Sequence, residues 1–83
     1  MDNKLLAVSE HAQAIIDATA DLPPQFVAKI EELCTTLIST TAMAVGKGIK
    51  VIDVSDLAPG VTQLGDGISA ILTDDGTLSF KKQ

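Results

Sequence analysis

Arginine and large aromatic side chains are largely missing from this sequence of 83 residues. It contains no Arg, Trp or Tyr, and Phe26 and Phe80 are its only aromatic residues. Nucleic-acid recognition depends on arginine forks and clustered positive charge. The six basic residues here are all lysines, they are scattered along the chain, and 11 acidic residues give a net charge of −5. We therefore expect no nucleic-acid partner.

Cysteine and histidine each occur once, as Cys34 and His11. A single cysteine excludes an intramolecular disulfide. The first residues, MDNKLLAVSEHAQAI, have neither the basic start nor the continuous apolar core of a signal peptide. We therefore expect the protein to be cytoplasmic, or to be made in the cell and then built into a larger particle.

No hydrophobic run is long enough to cross a bilayer, which takes about 20 mostly apolar residues. The longest uncharged stretch, LCTTLISTTAMAVG at residues 33–46, has fourteen residues and five hydroxyl side chains. We therefore expect no membrane partner, and we ask what else such a stretch is for.

Aliphatic side chains are what the sequence has in excess. Hydrophobic residues make up 46% of the chain, whereas a domain of this size buries only about 60–65% of the surface that its unfolded chain exposes. The sequence therefore predicts one domain over residues 1–83, with apolar surface left over for another subunit.

The first segment predicts an amphipathic helix that ends before a double proline. Its apolar stripe recurs every three or four residues and consists of Leu5, Val8, Ala12, Ile15 and Thr19. Asp21-Leu22-Pro23-Pro24 then interrupts the pattern, since proline is tolerated in the first turn of a helix and not in its interior. Asp21 is the predicted N-cap of the helix that follows.

The second helix is predicted to run to Gly46, a glycine placed where a helix C-cap belongs. Its stripe is spaced four, three, four and three residues apart and consists of Phe26, Ile30, Leu33, Leu37, Thr40 or Thr41, and Ala44. The rival interpretation pairs TTAMAV with IKVIDV as a β-hairpin. We favour the helix because the stripe continues in register from PQFVAKIEELC. The two helices then form an antiparallel hairpin over residues 3–45.

Residues 48–82 predict three to four short strands separated by turn signals. The strand candidates are IKVIDV, VTQL, ISAILT and TLSFKK. A three-residue loop ending in Gly76 pairs Leu72 with Leu78 and Ala70 with Phe80. This register puts the apolar residues on one buried face and turns Ser69 toward solvent, with Ile71 as the one exposed apolar exception. The predicted fold class is α+β: an N-terminal antiparallel helical hairpin followed by a small antiparallel β-sheet.

Candidate chemistry is sparse. His11 and Cys34 are each about eleven residues from the helical turn, so they fall at one height, but a buried helical cysteine is more often a small core residue than a nucleophile or ligand. Gly46-Lys47-Gly48 lacks the spacing of a phosphate loop. The acidic residues of the second half lack the alternate spacing of a calcium loop and suit turns; they are Asp53, Asp56, Asp66, Asp74 and Asp75. We expect no enzyme activity, cofactor or metal.

The sequence favours a small acidic, non-catalytic protein that self-associates through its helices and acts by protein–protein interaction. The predicted oligomer interface consists of Ile30, Leu33, Leu37, Thr40 and Ala44. Such a protein could be a structural or accessory component of a larger assembly such as a phage particle, or an inhibitor of a host protein. The alternative is a small-ligand-binding oligomer whose site lies between subunits, with the clustered hydroxyls and Lys47 or Lys50 making polar contacts.

Overall fold

The computed structural model describes residues 4–46, 48, 50–65 and 67–82. Helix α1 spans Lys4–Ala18 and helix α2 spans Pro24–Ala44, and a single 3₁₀ turn follows at Val54–Asp56. Strands β1 (Gly60–Gly65), β2 (Ile68–Leu72) and β3 (Leu78–Lys82) form an antiparallel sheet in that order. The predicted α+β class, two helices and then a small antiparallel sheet, is confirmed.

Helix α2 has 21 residues, so the helical interpretation of its second half is correct and the rival hairpin is not. Gly46 has a φ of +78°, the left-handed conformation that glycine adopts at a helix end. Its N–H donates to the Met43 carbonyl at 3.1 Å. The predicted N-cap is wrong: Pro23 occupies that position and no side chain caps the helix. Pro24, the first helical residue, has no N–H that would need a cap.

The β2–β3 hairpin has the predicted register, with Leu72 opposite Leu78 and Ala70 opposite Phe80. Gly76 has a φ of +89° and closes the turn by donating its N–H to the Thr73 carbonyl at 3.0 Å. A three-residue loop of this kind needs a left-handed residue at its end. Alternation of apolar residues and turn chemistry therefore agree on one register.

The core lies between the two helices and one face of the sheet, with α1 over β3 and α2 over β1. Leu5, Ala12 and Ile16 enter it from α1. Strand residues fill the other side, namely Leu64, Ile68, Ala70, Leu78 and Phe80. The molecule measures 37 × 23 × 19 Å, and this elongation follows from the length of α2, about 32 Å at 1.5 Å per residue.

The segment IKVIDV is not the predicted strand in its described part, since residues 51–53 have no regular structure and Val54 begins the 3₁₀ turn; Ile49 lies outside the described residues. Ser39 of α2 explains the difference. Its Oγ accepts a hydrogen bond from the Ile52 N–H at 3.0 Å and lies 3.1 Å from the Ile52 carbonyl, to which it can donate. A buried side chain therefore does for this backbone what a neighbouring strand would do.

Ser69 is a second departure from prediction, because it is fully buried although it lies on the sheet face opposite the core. Its cross-strand neighbours are Gln63 and Lys81. Cross-strand neighbours have their Cβ atoms about 4.5–5.5 Å apart, so this small side chain on the central strand stands between two long ones on the flanking strands. Its Oγ has no hydrogen-bond partner within the described part of the chain.

Side chains of the helices close the β3 edge of the sheet. The Gln13 amide oxygen accepts a hydrogen bond from the Phe80 N–H at 2.6 Å. The Glu31 carboxylate accepts one from the Leu78 N–H. Open edges invite pairing with other chains, so these two bonds fix the helices on the sheet and leave β3 less open to strand addition.

Candidate interaction surface

Helix α2 has two apolar faces, and this explains its uncharged second half. One face is buried against α1 and the sheet, and it consists of Cys34, Thr35, Ile38, Ser39 and Ala42. The opposite face carries the residues that we call the α2 stripe, namely Phe26, Ile30, Leu33, Leu37, Thr40 and Ala44. The two faces together include nine of the twelve residues from 33 to 44, and the other three, Thr36, Thr41 and Met43, lie on the flanks between them.

The α2 stripe is exposed to solvent along most of its length. Leu33 is 57% exposed, Leu37 49% and Phe26 56%, while Ile30 is half-buried at the edge of the core. Thr40 and Ala44 are exposed. The five residues of the predicted interface therefore share one face, and that face does not belong to the core of the chain itself.

A groove of about 230 Å³ runs beside the α2 stripe, between the two helices. Its walls are Ile15, Ile30, Leu33, Cys34 and Leu37. Ile15 of α1 is 45% exposed and continues the apolar surface on to the first helix. A contiguous exposed apolar patch of this kind is typical of a protein interaction site.

The place of Ile15 was not predicted from the sequence, which put it in one apolar stripe of α1 together with Leu5 and Ala12. In the structure Ile16 faces the core and Ile15 does not. Neighbouring residues on a helix are about 100° apart, so two adjacent isoleucines cannot both face the same partner. The pair was therefore a signal that α1 has a second apolar surface.

The hydroxyls of the uncharged stretch do not gather on one surface. Thr35 and Ser39 are buried in the core. Thr41 donates to a backbone carbonyl one helical turn earlier at 2.8 Å, and Thr36 lies 3.3 Å from a carboxylate oxygen of Asp53. Helical hydroxyls often satisfy themselves in this way. Within one chain the five hydroxyls therefore do not form a single cluster. Of the two lysines proposed to act with them, Lys50 is exposed and Lys47 lies outside the described residues.

Cys34 and His11 fall at the same height along the helices, but their surroundings differ. The Cys34 Sγ is buried, 3.8 Å from the carbonyl oxygen of Ala12. Burial, and secondarily the charge of Glu31, raises the pKa of the Cys34 thiol. His11 is exposed beside Glu10 on the outside of α1. A buried thiol with a raised pKa is a poor nucleophile. The imidazole of His11, on the outside of α1, does not form a pair with it.

A second concavity, of about 530 Å³, lies where the helical turn meets the β2–β3 hairpin. It contains three carboxylates, those of Asp17, Glu31 and Asp75. Burial raises the pKa of Glu31, against the opposing effect of its bond from Leu78. A hydrogen bond from the Thr73 hydroxyl, with further bonds from Thr77, lowers the pKa of Asp75.

The acidic side chains of the second half of the chain that the structure describes have hydrogen-bond partners at Asp75 and Asp56. Asp75 is bound within its turn, where it accepts hydrogen bonds from Thr73 and Thr77. Asp56 accepts a bond from the Asp53 N–H at 3.1 Å. In the described part of the chain, no group of three or more His, Cys, Asp or Glu side chains is arranged to hold a metal ion. Asp66 lies outside the described residues.

Comparison with protein-family models, with curated proteins and with solved structures gives no match to this chain. None of the described helices has the length and apolar character that a membrane span requires. The α2 stripe is therefore the feature from which a function can be argued.

Proposed function

We propose that this protein is a non-catalytic interaction protein that self-associates through the α2 stripe and the adjoining Ile15. The observation that carries the proposal is the exposure of Leu33 and Leu37, two large aliphatic residues that stand one turn apart in the middle of a helix. Taking a fully exposed leucine side chain to full burial contributes about 1.5–3 kcal/mol, and because each of these two is already about half covered, association gains about half of that for each.

The spacing of the α2 stripe supports a helical partner. Its residues recur four, three, four, three and four positions apart along α2, which is the periodicity by which two helices keep one seam in contact. A flat or irregular partner has no need of this regularity. A helix of the same kind, supplied by another copy of the chain, meets the requirement without a foreign protein.

Two biological roles are compatible with such an assembly, and we propose them as alternatives. The protein is a structural or accessory component of a larger particle, such as a phage virion, or a small inhibitor that presents its sheet and turns to a host protein. In both cases the helices hold copies together and the β-rich part remains outward, and we expect the protein to be made in the cytoplasm.

The proposal is tested by two substitutions at similarly exposed apolar positions. Leu37→Asp puts a charge in the α2 stripe, whereas Val61→Asp puts one on the sheet, where Val61 is 58% exposed. At a protein concentration where the wild type is associated, we expect Leu37→Asp to lower the mass measured by sedimentation velocity to that of the monomer, while its helical circular dichroism is retained. Val61→Asp should leave the mass unchanged. Equal masses for all three proteins would contradict the proposal.

A further inference from the structure

We infer that the partner on the α2 stripe is the α2 helix of a second copy, packed antiparallel. The two-fold axis that relates the copies crosses the stripe at the height of position 35 along the helix. The inference rests on the proposed function and specifies its geometry. Three properties of the stripe carry it: the sizes of its residues, the placement of the charges on α2, and the position of Ile15.

The sizes of the stripe residues are complementary about that axis. In this pairing a residue a given number of positions before 35 faces the residue the same number after it. Leu33 then faces Leu37 of the other copy, and Ile30 faces Thr40. At the ends, the bulky Phe26 faces the small Ala44. Large residues opposite small ones interdigitate at constant helix separation.

The charges on α2 favour the same orientation. All of them lie in its first half, at Lys29, Glu31 and Glu32, and residues 33–44 carry none. Antiparallel pairing therefore places the charged half of each helix opposite the uncharged half of the other. The helix dipoles also oppose one another.

Parallel pairing has none of these advantages. It places each residue opposite its own copy, so the Lys29–Glu32 ion pair of one helix lies level with the same pair of the other, and the charged halves meet instead of each facing an uncharged half. Phe26 meets Phe26 while Ala44 meets Ala44, which crowds one end of the seam and leaves a gap at the other.

Ile15 extends the antiparallel contact beyond the two α2 helices. It lines the groove together with Leu33 and Leu37, the two residues that stand next to the proposed axis. Because a two-fold axis presents the same patch from both copies, the two Ile15 grooves lie symmetrically on either side of it. A partner's Leu33 or Leu37 side chain is of a suitable size to enter each groove.

The inference is tested by dipolar EPR distances between identical spin labels in the two copies. Cys34 is first replaced by Ala, since it is buried and would compete for the label. Single cysteines are then placed on one flank of α2, outside the stripe, at Gln25, Glu32 and Met43. Antiparallel pairing predicts axial separations of about 30 Å at 25, about 9 Å at 32 and about 24 Å at 43, from 1.5 Å per residue on each side of the axis.

A second measurement guards against labels that disturb the assembly. Ile30→Cys and Thr40→Cys chains, each in the Cys34→Ala background and one carrying a mass tag, are mixed and oxidised. Antiparallel pairing predicts cross-linked heterodimers in preference to either homodimer.

The possible outcomes distinguish antiparallel pairing of the α2 helices from self-association in general. Distances that rise away from position 35, together with heterodimeric cross-links, support the antiparallel pair. Equal distances at all three positions, or homodimeric cross-links, in a protein that light scattering shows to be oligomeric overturn the inference and leave self-association standing. A monomeric mass before labelling overturns both.

Discussion

Ser39 ties the chain between α2 and the sheet to the body of the molecule. Its hydroxyl lies within hydrogen-bond distance of both the N–H and the carbonyl of Ile52, and all three groups are buried. A serine in a hydrophobic helix face usually turns back on its own helix. Here it also replaces a strand neighbour, which no pattern within the sequence could indicate, because the two residues meet only after the chain has folded.

Ser39→Ala is expected to lower the free energy of unfolding by about 1–3 kcal/mol, because it leaves a buried N–H without a partner. Urea unfolding followed by circular dichroism measures the effect. Ser55→Ala, at an exposed position of the 3₁₀ turn, is the matched control and should be nearly silent. If the two substitutions had the same effect, the Ile52 bonds would have no part in stability.

Gly76 carries a cost that comes from backbone geometry alone. Its φ is +89°, and a Cβ built on it meets no atom within 4 Å. Gly76→Val should therefore destabilise the fold by about 1–2 kcal/mol through strain, without any clash. Gly76→Asn should lose less, since asparagine tolerates the left-handed region. Equal urea midpoints for the valine variant and the wild type would mean that the turn relaxes to another conformation.

Among the elements, the register of the β2–β3 hairpin could be predicted to the residue, whereas the structure of the IKVIDV segment that precedes β1 could not. The hairpin register depends on alternation over Ile68–Leu72 and Leu78–Lys82 and on a turn between them, all within fifteen residues. The IKVIDV segment has strand composition, but among the described residues it has no strand beside it. Local preference decides a structure only where the long-range contacts agree with it.

Helix α2 shows the same limit in another form. Its length and its C-terminal glycine were predictable from periodicity and capping, and so was the stripe. Cys34 was expected in the core, but the rest of the buried face of α2 was not predicted, because Thr35 and Ser39 look too polar for a core. They face the core because their hydroxyls find backbone partners and because small residues let α2 approach the sheet closely.

The partial burial of the Glu31 side chain makes the stability of the fold sensitive to pH. Burial raises the pKa of Glu31, so the folded state holds the proton more tightly than the unfolded state does. Ionisation above the usual value of 4.5 therefore weakens the fold, and the contribution of Glu31 to stability falls as pH rises through the window just above it.

Glu31→Gln should remove this dependence, because the amide carbonyl still accepts from Leu78 and cannot ionise. The measurement is the unfolding free energy of both proteins between pH 4 and 7 at one protein concentration. The unfolding free energy of the wild type minus that of the Glu31→Gln variant is expected to fall as the pH rises. Glu10→Gln, on the exposed face of α1, reports the effect of removing one surface charge; a rising difference for Glu31 would contradict the burial argument.

For the whole molecule, the question is where an aliphatic chain of 83 residues places its surplus apolar surface. The core takes one face of α2, and the other face is left as a regular stripe. The excess could be predicted from composition and the stripe from periodicity. The occupant of the stripe could not, since a sequence does not record whether a face meets its own copy or another protein.

The most direct test of self-association is the mass of the wild-type protein in solution, by light scattering behind size exclusion at two concentrations a hundredfold apart. Self-association through the α2 stripe predicts at least twice the chain mass of 8.6 kDa at both. A mass of 8.6 kDa at both would contradict it, and would leave the α2 stripe as a surface that copies of this chain do not share.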